Sequence, residues 1–166
     1  MLKYATFAIA FVGSSLCSLT HTSAGEFGSA DEAKAMLNHA IVEVRANKFA
    51  AIEKFNRNET PFRDRDLFVF CFNGWNGKFT AHEAMISWEV RNLRDTKGAS
   101  FGAQMYDVAK EGRIDEVIFV SPMPGSTEFA VRSAYVSRIG DQVCGVSAFQ
   151  RDGSNPPRIK MAGPVR

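Results

Sequence analysis

Few side chains in this sequence combine reactive chemistry with a placement that folding could exploit. His82 closes the run Gly77-Lys78-Phe79-Thr80-Ala81-His82, which follows an apolar segment, Leu67 to Phe72, and a glycine-containing turn. A histidine at the end of a returning strand can bond a small anion. It can equally bond a nearby loop carbonyl and fix the hairpin. Arg132 can grip a carboxylate in a two-pronged contact, and the hydroxyl of Tyr135 can add one further bond. These two lie three residues apart, so a regular strand points them to opposite faces, and without a bulge only one lines a common pocket. The plainer reading is a solvated Arg132 and a buried structural Tyr135. Phe70, Phe119 and Ser121 complete the candidates as walls or donors, although each also fits simple core packing or a satisfied strand-end hydroxyl. Together they describe a pocket for a small carboxylate: a cation and a few donors among apolar walls.

Enzymatic chemistry finds little support. The sequence has no Gly-x-Ser-x-Gly elbow, no phosphate-binding glycine loop, no paired-histidine metal motif and no Cys-x-x-Cys. Its histidines are His21, His39 and His82, and its cysteines Cys17, Cys71 and Cys144. Such counts exclude a histidine-rich metal site, and no catalytic residue or cofactor is called for. Cys71 sits mid-strand among phenylalanines, a poor setting for a reactive thiolate.

The first 24 residues carry Lys3, an apolar run through Leu16 and the small-residue ending Thr22-Ser23-Ala24. They read as a secretory signal peptide cleaved after Ala24. The apolar run is short and serine-interrupted for a membrane span. Lipid attachment at Cys17 is disfavoured by the bulky Leu16 before it. Removing Lys3 lowers the formal net charge from +2 to +1, so there is no electrostatic footprint for nucleic acid. The expectation is an exported, periplasmic or secreted protein with no membrane span after cleavage. Residues 25–150 form one domain and residues 151–166 a poorly ordered tail. The 166 residues, 45% hydrophobic, are enough for one real core. Cys71 and Cys144 then remain as an even pair in an oxidising compartment, which suggests a disulfide. Two buried unpaired thiols are the alternative.

The elements that must position these residues follow from local pattern. Ser29-Ala30-Asp31-Glu32 is a capping box, and Ala33, Leu37, Ala40, Ile41 and Val44 recur behind it at helical spacing. Phe49, Ile52 and Phe55 continue the stripe out of register, which predicts a kink or second helical segment near Asn47. Leu67 to Phe72 is apolar on both faces, as a covered central strand should be. In the returning strand Phe79 and Ala81 alternate with Lys78, Thr80 and His82. Residues 84–100 look irregular, and Phe101, Met105, Val108 and Ala109 mark a helix stopping at Gly112. Strands follow over 116–121, 129–138 and 142–149, the last two joined at Gly140-Asp141, a hairpin signal. Helices segregated against an antiparallel sheet make an α+β architecture.

Segment 30–149 resembles the single Cache domains of type 2. The resemblance rests on ordered pieces: Phe62-Arg63-Asp64, Asp66 to Phe70, Gly77 to His82, Leu93-Arg94-Asp95, Ala109 to Gly112, Ser133 to Val136, and Gly140 to Val146. The chain departs from the family at Glu83-Ala84 (usually proline first), at Ser147-Ala148-Phe149 (usually Gly-Tyr-Tyr) and at Asn73 (usually aspartate). The resemblance implies a PAS-like five-stranded antiparallel sheet with a long N-terminal helix on one face and a small ligand pocket on the other. It implies extracytoplasmic sensing of a short organic acid without catalysis, with a membrane receptor or kinase as partner. The alternatives are a structural or interaction module that has lost its ligand, and more weakly a thiol-dependent redox protein using Cys71 and Cys144.

Overall fold

The computed structural model describes residues 26–151 and the backbone of residues 158–159. The expected signal segment therefore lies outside the described residues. Helix α1 (Ala30–Ala46) begins at the capping box: Ser29 Oγ accepts from the amide of Glu32, and Glu32 returns a carboxylate to the amide of Ser29. The break near Asn47 is a single residue. Asn47 adopts an extended conformation, its amide donates to Glu43, and its side chain accepts from the amide of Ala50. One asparagine thus ends α1 and caps α2 (Lys48–Asn56).

The strands are β1 (Arg63–Asp64), β2 (Leu67–Asn73), β3 (Phe79–Ala81), β4 (Asp115–Pro122), β5 (Phe129–Ile139), β6 (Gln142–Phe149) and β7 (Arg158–Ile159). All pair antiparallel. The five core strands run β3-β2-β6-β5-β4, with the short β1 also on β2 and β7 on β5. β2 is thus an interior strand beside β6, which is the middle of the five and the last core strand of the chain. The long irregular segment before helix α3 (Phe101–Val108) contains one turn of 3₁₀ helix, Val90–Asn92. Within the expected C-terminal tail, residues 158 and 159 pair with Ala130 and Phe129. Among the described residues, no helix is long and apolar enough to cross a membrane.

Side chains divide cleanly between the two sheet faces, as strand alternation requires. Leu67, Val69 and Cys71 of β2 join Tyr135, Ile139, Cys144, Val146 and Ala148 under α1 and α2. Phe70 and Phe72 face the other way, with Val136, Val143, Val90, Met105 and Ala109. This is why β2 reads as apolar throughout: it is covered on both sides. Cys71 stands directly opposite Cys144 in the β2–β6 register, and the two form a disulfide with their Cα atoms 4.1 Å apart. Both residues are fully buried on the helix face, a place without access for redox exchange.

Two glycines mark close approaches. A Cβ on Gly102 of α3 would stand 1.8 Å from the Val90 carbonyl oxygen, so α3 seats directly on the 3₁₀ turn. A Cβ on Gly145 of β6 would stand 2.5 Å from Cζ of Phe70 and 2.7 Å from the Tyr135 carbonyl oxygen. That gap lets the Phe70 ring lie across the sheet.

Candidate functional site: a cavity with one buried cation

The face of the sheet away from α1 holds a cavity of about 170 Å³. Its floor is Phe68 and Phe70 of β2 and Ala134 of β5, and its roof is Phe101 and Met105 of α3 with Leu93 before them. Phe101 and Phe119 stack with ring centroids 4.3 Å apart and planes 7° apart, closing one wall. Phe79 and Met85 close another, and the polar members of the lining are His82, Arg132 and Ser147.

His82 reaches this cavity because β3 carries a bulge. Cys71 pairs with Ala81 but Phe72 pairs with Phe79, so Thr80 is the extra residue. Strict alternation would set Phe79 and His82 on opposite faces. The bulge turns them to the same one, with ring centroids 4.9 Å apart. The His82 Nδ1 accepts from the amides of Ala84 (3.1 Å) and Met85 (3.3 Å). That pattern assigns the proton to Nε2, the ring's remaining donor. Burial among Phe68, Phe70 and Phe79 pushes the imidazole pKa down from 6.5 to about 4, so the ring is neutral at pH 7. His82 thus orders the loop through Nδ1, with the amides of Ala84 and Met85 as partners rather than the loop carbonyl expected from the sequence, and its ring lines the cavity.

Arg132 is the cavity's cation. Its side chain is only 13% exposed, and Cζ lies 4.4 Å from the centroid of the Phe149 ring. Nη2 donates to the Ser147 carbonyl (3.1 Å), the Asp66 carbonyl (3.3 Å) and the Asp66 carboxylate (3.3 Å). Among the described residues its buried Nε–H has no hydrogen-bond partner. Burial lowers the guanidinium pKa while the Asp66 charge opposes that shift. The group remains charged at any physiological pH. Among the described residues no acidic side chain lines the cavity, so its electrostatics suit an anion rather than an amine.

Of the residues singled out from sequence, His82, Arg132, Phe70 and Phe119 line this one cavity. Tyr135 lies on the opposite face of β5, where Lys34 of α1 stands 4.8 Å from its ring centroid. Ser121 sits two residues beyond Phe119, outside the lining, with Oγ 3.5 Å from the Pro122 carbonyl. Sequence reading missed Phe68, Phe79, Met85, Leu93, Phe101, Met105, Ala134 and Ser147 as lining. Phe68 was accessible, since it shares a strand face with Phe70. Met85 and Leu93 come from the aperiodic stretch 84–100, which offers no pattern to read. Among the described residues, no group of three His, Cys, Asp or Glu side chains could hold a metal ion.

Three solved structures share this architecture. One is a methyl-accepting chemotaxis protein from Vibrio parahaemolyticus, 19% identical, with a TM-score of 0.55 over 72% of this chain and 86% of that one. Another is a periplasmic sensor domain of a chemotaxis protein, 14% identical, with a TM-score of 0.53 over 72% and 88%. The third is a Cache chemosensory domain described for its recognition of carboxylic acid, 13% identical, with a TM-score of 0.51 over 72% and 86%. No protein-family model and no curated protein matches the sequence. With its long N-terminal helix on one face of the sheet and its cavity on the other, the chain has the PAS-like α+β fold of a single Cache domain.

Proposed function

We propose that this protein is a non-catalytic extracytoplasmic sensing domain that binds a small organic acid in the cavity over β2 and β5. The observation that carries the reading is Arg132: a buried guanidinium lining a largely apolar cavity to which, among the described residues, no acidic side chain contributes. Its Nε–H is a donor still to be used. A ligand carboxylate would take Arg132 as counter-ion and the His82 Nε2–H as a second donor, with Phe70, Phe101 and Phe119 against its apolar body. The volume of about 170 Å³ lies below the range of about 300–1,000 Å³ for drug-sized sites, which favours a small monoacid. The fold shared with chemotaxis sensor structures supports a sensing role. In this reading the N-terminal segment is a signal peptide removed after Ala24, the location is periplasmic or secreted, and the signal passes to a separate membrane receptor or kinase.

The test is a thermal-shift screen of the purified protein against small organic acids, amino acids and amines. A concentration-dependent rise in melting temperature with a monoacid is expected, lost in Arg132→Met. Binding of amines in preference to acids would reject the reading. A flat response would favour an interaction module instead, for which Trp75 (76% exposed) and Phe49 (80% exposed) offer apolar contact points.

A further inference from the structure

The cavity's cation is tied to the start of α1 through one carboxylate. Asp66 is 6% exposed, and its two oxygens serve different parts of the molecule. Oδ2 lies 3.3 Å from Nη2 of Arg132, while Oδ1 accepts the amide of Gly28 at 2.6 Å. Its neighbour Arg65 holds the same stretch, donating to the Phe27 carbonyl at 3.1 Å and to Glu32 at 2.7 Å. Residues 65 and 66 therefore clasp residues 27–32, and one arm of the clasp ends on Arg132. Asp66 is not part of the cavity lining. It faces the adjoining cleft with Glu26, Phe27 and Arg65, so Arg132 stands between the two spaces.

We infer that Asp66 couples occupancy of the cavity to the anchoring of Gly28 at the entrance to α1. The inference rests on the acid-binding reading only for its ligand arm. A carboxylate in the cavity competes with Asp66 for the charge of Arg132. Asp66 is then held less firmly, and so is the amide it accepts from. Linkage makes the effect reciprocal: opening the clasp tightens acid binding by the same factor by which acid binding favours the open clasp. Asp66→Asn is the informative change, because an asparagine retains an Oδ1 acceptor for Gly28 while removing the competing charge.

The experiment is amide hydrogen exchange at Gly28 in the full chain, comparing wild type, Asp66→Asn, Arg132→Met and the double variant. Without any ligand, Arg132→Met is expected to speed exchange at Gly28 by about threefold or more. In the Asp66→Asn background, Arg132→Met should add little further exchange. Unchanged exchange in Arg132→Met overturns the coupling, whatever the cavity binds. Should Arg132→Met not fold by circular dichroism, Arg132→Lys, which lacks the planar fork, takes its place. Propionate, isobutyrate and benzoate are the probes for the second arm. Each acid that binds is expected to speed Gly28 exchange in wild type and to bind Asp66→Asn on the order of tenfold tighter. Acid binding with unchanged affinity in Asp66→Asn and unmoved Gly28 exchange overturns the coupling and leaves the ligand reading intact. If none of the acids binds but Arg132→Met still loosens Gly28, the link from Arg132 through Asp66 to Gly28 stands, while the acid-binding reading and the ligand arm that rests on it fail.

Discussion

Replacing Cys71 and Cys144 together by alanine should lower the stability of this domain by about 3–5 kcal/mol. The bond joins residues 73 apart in sequence. The chain-entropy relation for a closed loop of that length gives about 15 cal/mol/K, or about 4 kcal/mol at 25 °C. Such a loss is large against the usual margin of about 5–15 kcal/mol. Both cysteines are fully buried between the sheet and the helices, so removing the sulfur atoms also leaves a small packing defect. Circular dichroism against urea is the suitable assay. The two tryptophans, Trp75 and Trp88, are 76% and 62% exposed and would report unfolding weakly. The double variant should show a lower midpoint and a steeper denaturant dependence, because its unfolded chain is freed to expand. A reductant should leave the bond intact until the protein unfolds, since neither sulfur is accessible. A loss below about 1 kcal/mol would refute the entropic argument. Reduction of the native protein without unfolding would refute the burial argument.

His82 and Gly145 supply two further predictions. Because the His82 pKa is depressed from 6.5 to about 4 on folding, the unfolded chain takes up the proton first. Stability is therefore complete above about pH 6.5 and falls as the pH drops toward 4. The upper bound is about 3 kcal/mol, reduced to about 1–2 kcal/mol because the ring is partly solvated. Urea midpoints measured from pH 4 to 7.5 should show this slope in wild type and lose it in His82→Asn, whose Oδ1 can replace Nδ1 as the loop's acceptor. Glu32, held near pH 2 chiefly by the Ser29 amide and Arg65, acts in a separate window below about 4.5. An unchanged slope in the variant would contradict the assignment. Gly145→Ala should cost about 1–3 kcal/mol in thermal or urea unfolding, since the new methyl meets both the Phe70 ring and the Tyr135 carbonyl. It should also weaken any acid-induced thermal shift by moving a wall of the cavity, and a neutral effect on both would show that β5 and β6 can separate freely there.

The order of elements was legible in the sequence because local periodicity reflects backbone geometry that needs no distant partner. The capping box at Ser29, the doubly apolar run at Leu67 to Phe72 and the Gly140-Asp141 turn each predict their own element, and each forms where expected. Asn47 was visible as an interruption, and the structure shows the reason: one side chain and one amide serve two helix ends. The site was legible only in part. His82, Arg132, Phe70 and Phe119 could be named from residue type and strand position, but their meeting depended on register. The bulge at Thr80 turns His82 toward the cavity, and no local pattern marks it. The even cysteine count suggested a bond, yet only the β2–β6 register sets Cys71 opposite Cys144. Asp66 stands in the charged stretch Arg63-Asp64-Arg65-Asp66, which carries no local sign of burial, and tertiary structure places its side chain between Gly28 and Arg132, 38 and 66 residues away. Sequence thus determined which segments become helix or strand. Tertiary structure alone decided which faces turn inward and which distant polar groups pair, because those outcomes follow from register and burial rather than from the chain's local preferences.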